Sequence, residues 1–107
     1  MLKKGFLLLV FWLGLSNLAL ATEGEKLFHL RGCSGCHEAT KDSVGPALST
    51  ISQKYNRDLN RLMKFFKGQA DPIIWPDKFR IMEPFMNMLK QMDDKDLKVL
   101  GEYILSF

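Results

Sequence analysis

The two cysteines of this 107-residue chain stand three positions apart and are followed at once by a histidine, in Cys33-Ser34-Gly35-Cys36-His37. Two thiols at that spacing on a helical turn can each reach one vinyl group along a porphyrin edge, and addition across those vinyls forms two thioether bonds. The histidine that follows is carried beneath the ring, where an imidazole nitrogen can coordinate iron. The pentapeptide therefore reads as a covalent haem attachment site. One motif means one haem, with Cys33 and Cys36 as its thioether bridges and His37 as an iron ligand.

Other uses of two close thiols fit less well. A thioredoxin-like redox pair has the same cysteine spacing, but no strand-helix-strand pattern surrounds this one. A zinc site needs four ligands. Here the only other histidine is His29, and no further cysteine exists. A disulfide would close a tiny loop and restrict the unfolded chain little.

The first twenty-one residues read as a secretory signal. Lys3 and Lys4 form a basic start, Phe6 to Leu15 is an apolar run, and Ala19-Leu20-Ala21 offers small residues for a peptidase cut before Thr22. The run is short for a spanning helix, which needs about 20 apolar residues, and Ser16-Asn17 interrupt it. The expected organisation is a signal at 1–21 and one domain at 22–107, secreted across the inner membrane to the periplasm. Cleavage removes two of the fifteen basic residues and none of the twelve acidic ones, which leaves thirteen against twelve and a net charge of +1 in place of +3. The basicity is thus largely a targeting signal and argues for no nucleic-acid partner. A domain this small often relies on a cross-link, metal or cofactor for stability, and a covalently held haem plate supplies an apolar core.

The rest reads as all-α, four to five short helices around the haem. Thr22-Glu23-Gly24-Glu25 fits a capping box for a helix running to about Gly32. Gly45-Pro46 breaks the chain ahead of a short helix over 47–55. Asp58 caps a helix bearing Leu59, Leu62, Met63 and Phe66 that stops at Gly68. An irregular stretch is expected over 69–78, where Pro72 and Pro76 fall. Phe85, Met88, Leu89 and Met92 then form one helical stripe, and Asp93 caps a last helix with Leu97, Leu100, Gly101 and Ile104 at the same spacing.

A sixth ligand decides whether the iron exchanges electrons or binds gases. Methionine sulfur opposite histidine raises the reduction potential. Met82, Met86, Met88 and Met92 all precede the last helix. Met88 and Met92 lie on the stripe, where a thioether serves as core filler. Met82 stands before Pro84, where a non-helical backbone would aim its side chain at the iron. It is the first choice, with Met86 next. Met63 reads as core. His29, four residues before Cys33, lies on the attachment side of the ring and reads as a surface residue.

The pattern resembles the class I cytochrome c family over nearly the whole of 22–107. The matching residues are Gly24, Leu27-Phe28, Gly32-Cys33, Cys36-His37, Gly45-Pro46, Leu48, Lys54-Tyr55, Trp75, Ile81-Met82-Glu83-Pro84 and Leu100-Gly101-Glu102-Tyr103-Ile104. The likeness is closest to small bacterial monohaem members. It implies that Met82 lies opposite His37 on the iron and that the Pro46 carbonyl takes the other ring nitrogen of His37, fixing its orientation. It also implies that Gly24 and Phe28 pack on the last helix near Leu100 and Tyr103. Trp75 would either bond a haem propionate through its indole N–H or serve as an aromatic core residue. The ten residues between Met82 and Asp93 depart from the shortest bacterial members, and 85–92 would form an extra helical cover.

The expected function is a one-electron carrier, a monomer that docks transiently with larger redox proteins through weak, small interfaces. No nucleophile-base pair or substrate pocket points to an enzyme. Lys41, Lys54, Lys64, Lys67, Lys78 and Lys90 would form either a docking ring or a solvated surface. The competing function is a five-coordinate haem protein that binds a small gas or has peroxidase-like activity.

Overall fold

The computed structural model describes residues 22–107, so the signal expected at 1–21 lies outside the described residues. Within them the chain is helical, as its patterning predicts: α1 (22–30), α2 (Leu48–Lys54), α3 (Leu59–Phe66), α4 (Glu83–Gln91) and α5 (Asp94–Leu105). Two 3-10 segments, Cys33–Gly35 and Pro76–Ile81, stand between them.

Local chemistry sets the boundaries. α1 ends where Arg31 N–H donates to the Leu27 carbonyl and Gly32 takes φ 80°, a left-handed conformation that glycine adopts without strain. Asp58 accepts from Arg61 N–H at 3.2 Å and Asp93 from Asp96 N–H at 2.8 Å. Each carboxylate thereby satisfies an orphan donor at the start of its helix. Ala47, which precedes α2, has no capping side chain of its own. Asp42 supplies one from five residues upstream, its Oδ1 accepting from Ala47 N–H at 2.7 Å and from Thr50 Oγ1 at 3.0 Å.

Helix α5 is the spine, packing against both α3 and α2. Leu97 and Leu100 are almost completely buried, each such leucine contributing about 1.5–3 kcal/mol. The α1–α5 crossing is close enough that a β-carbon on Gly24 would stand 2.5 Å from Tyr103 Cβ and 2.9 Å from the Val99 carbonyl oxygen. The Phe28 and Tyr103 rings meet at 5.6 Å between centroids. Ser52, wholly buried, donates from Oγ to the Leu105 carbonyl at 3.0 Å, which ties α2 to the end of α5.

Two expectations need correction. The stretch 69–78 is not irregular throughout, since Pro76 opens a 3-10 helix that runs to Ile81. Proline suits the first position of a helical turn because its φ is preset and its missing donor is not needed there. Met82 is also not on non-helical backbone. It joins this 3-10 helix to α4 with helical angles, φ −82° and ψ −23°.

Candidate functional site

The turn after α1 folds through its own backbone. Gly35 N–H donates to the Gly32 carbonyl, and the N–H groups of Cys36 and His37 both donate to the Cys33 carbonyl, at 3.2 and 3.0 Å. This 3-10 turn sets the two thiols on one side and starts His37 in a fixed direction. The loop that follows returns to clasp it. Gly45 N–H donates to the Cys36 carbonyl at 2.8 Å, and Ser43 Oγ donates to the same oxygen at 3.1 Å.

The imidazole of His37 is fixed by that loop. Nδ1–H donates to the Pro46 carbonyl at 2.7 Å, which selects one tautomer and leaves Nε2 as the ring's lone-pair nitrogen. Such an outer partner orients a ligating histidine and raises its donor strength. Gly45 makes room for the ring, for a β-carbon there would lie 2.6 Å from Cε1.

The turn faces a cavity of about 1090 Å³, a figure that counts its open mouth and the solvent space there. Cys33, Cys36, His37, Pro46, Trp75 and Met82 all line it. Apolar residues from every helix complete the wall, among them Phe28, Leu48, Leu62, Leu89 and Leu100. Met86 and Met92 belong to the buried core and do not line the cavity, whereas Met88, which the periodicity places as filler, does. His29 is exposed and stands 4.0 Å from Glu25 one helical turn away.

Burial pushes the Cys33 thiol above its ordinary value; a hydrogen bond from its own backbone opposes this, and neighbouring Cys36 adds to it. Cys33 and Cys36 form no disulfide with each other. Among the described residues no group of three histidine, cysteine or acidic side chains is placed to hold a metal ion, as a zinc site would require.

The donor set fits haem. A large, almost wholly apolar slot accepts a flat hydrophobic ring, two thiols on one edge match its vinyls, and a nitrogen and two thioethers supply soft and borderline iron donors. Two contributors, Met88 and Gly45 as space for the ring, had escaped the sequence pattern, and Trp75 was foreseen in the wall but not in its backbone. Met88 was hidden by its place in the stripe. Gly45 was legible as a chain break but not as space for His37. Trp75 has φ 46°, which no composition signal announces.

Comparison with known proteins agrees. The cytochrome c family model matches residues 21–107. A curated relative, cytochrome c-551 of Stutzerimonas stutzeri, is 30% identical over 91 residues, covering 82% of this chain and 80% of its own length. No helix among the described residues is long and apolar enough to cross a membrane.

Proposed function

The chain belongs to the cytochrome c family and carries covalently bound haem c with its iron, and from that premise we propose that it is a periplasmic one-electron carrier between redox proteins. The single observation that carries this reading is the meeting of both thiols, His37 and Met82 on one apolar cavity. When bound, haem supplies an iron that alternates between the ferric and ferrous states.

Each remaining role belongs to the chain. Cys33 and Cys36 tether the ring through thioethers. His37 offers Nε2 to the iron while Pro46 holds the opposite nitrogen. Met82 offers its sulfur from the junction ahead of α4, and Trp75 forms part of the wall. His37 and Met82, held by different parts of the fold, would keep the same two donors on the iron in both oxidation states. That constancy minimises reorganisation and closes the iron to outside ligands. The apolar lining excludes water and favours the less charged, reduced iron. On this reading the chain acts as a carrier, the role its family suggests, and not as a catalyst. A signal at 1–21 and a secreted monomer of 22–107 belong to the same proposal, alongside a family match that spans 21–107.

The test is made on protein matured in its source. Mass spectrometry should give residues 22–107 plus one haem, the ferric form should show the weak far-red band of iron-sulfur ligation, and the reduced form should resist carbon monoxide. Met82→Ala should abolish the far-red band. Haem that extracts into acidified organic solvent would refute the tether, and a band lost only in Met88→Ala would move the ligand.

A further inference from the structure

The cavity wall is nearly without charge. Among the described residues, beyond the two thiols, His37 and the Tyr55 phenol, Lys78 is the only lining residue that ionises. The other lysines of a conceivable docking ring, Lys41, Lys54, Lys64, Lys67 and Lys90, do not line it, nor do Asp71, Asp77 and Arg80 on the neighbouring backbone.

Lys78 is held where it is. Its N–H donates to the Trp75 carbonyl at 2.9 Å, and its ammonium stands 5.1 Å from the centre of the Trp75 ring, within cation–π range. Trp75 adopts φ 46°, a backbone a bulky residue keeps only where its surroundings impose it. The strained turn and Pro76 after it thereby set ring and ammonium together on the cavity wall. Among the described residues this ammonium meets no carboxylate, the ion pairs being His29–Glu25 and Lys67–Asp94.

Haem brings two propionate carboxylates, and a carboxylate against an apolar wall is costly unless paired. Resting on the haem-carrier reading above, we propose that Lys78 is the charge partner of a haem propionate, and that its ammonium raises the reduction potential of the iron. The sign follows from Coulomb's law, since a nearby positive charge favours the iron state with one positive charge fewer.

The experiment uses matured holoprotein and the variants Lys78→Gln, Lys78→Arg and Lys54→Gln, the last removing an exposed charge from the end of α2. Covalent haem mass and the far-red band are checked first, and their absence in the parent would sink the carrier reading together with this one. Given both, spectroelectrochemical titration should show a lower midpoint potential in Lys78→Gln than in Lys54→Gln. Lys78→Arg should stay near the parent. The fall should persist at high ionic strength, because a contact pair is screened less than a surface charge. A Lys78→Gln potential no lower than that of Lys54→Gln, or a difference that vanishes with salt, would make Lys78 a solvated cation on Trp75 and overturn the proposal.

Discussion

The imidazole of His37 lies directly against the α-carbon of Gly45, so that a β-carbon there would stand 2.6 Å from Cε1 and 2.9 Å from Nδ1. Neither side has room to yield. Gly45 is held by its bond to the Cys36 carbonyl, and the ring by its bond to Pro46. Gly45→Ala should therefore turn the ring, break the Pro46 bond and cost about 1–3 kcal/mol as overpacking does. Denaturant titration of the holoprotein measures this, together with the yield of haem-loaded chain, which should fall. A variant with parental stability and yield would show that the loop adjusts freely.

Met86 and Met82 should separate stability from ligation. Met86 is 5% exposed and sits in the core away from the cavity, so Met86→Ala should cost about 2–5 kcal/mol as other methionine truncations do. Its far-red band should survive. Thermal unfolding and the ferric spectrum, recorded on the same sample, check both halves.

Gly24 and Gly35 offer a matched pair. A methyl at Gly24 meets Tyr103 Cβ and the Val99 carbonyl, whereas one at Gly35 meets nothing within 4 Å. Gly24→Ala should lower stability by about 1–3 kcal/mol or more with the visible spectrum unchanged, because the damage lies at the α1–α5 crossing. Gly35→Ala should leave the unfolding midpoint near the parental value. Equal effects in the two would disprove the close crossing.

Tyr55 predicts a loss of stability in alkali. Burial pushes its phenol above the usual range, and the Arg61 guanidinium over the ring, 5.7 Å from its centre, partly opposes this. The folded chain thus holds this proton more tightly than the unfolded one, whose phenol ionises near about 10. The contribution is complete below that value and is lost as pH rises through it toward the folded-state value. Tyr103 is raised in the same direction by burial, then by Glu25. Unfolding midpoints taken between about pH 8 and pH 11 should fall less steeply in Tyr55→Phe than in the parent.

Much of this was legible in the sequence because it depends on residues close together in the chain. The caps at Asp58 and Asp93, the stop at Gly68 and the stripe of α5 are short-range signals, and the structure has each of them. What escaped depends on long-range surroundings. Helix α4 lies between the core and the cavity, and both sides are apolar. Its hydrophobic periodicity marks one broad surface without saying that Met86 turns inward and Met88 toward the slot. The 3-10 helix Pro76–Ile81 carries no 3.6-residue period to detect. The cap that Asp42 lends to α2 comes from a loop that is bonded back to the Cys36 carbonyl.

Helix α5 packs extensively against α3 and α2, while α4 rests more lightly on α3 and on the 3-10 helix before it. The two sides of the slot are therefore unequally anchored. The His37 side is built into a clasped loop, and the Met82 side is carried on the junction between the 3-10 helix and α4. Under heat or denaturant the second side belongs to the low-stability end of the fold, so on the proposed ligation the Met82 sulfur should be lost before the His37 nitrogen and both tethers.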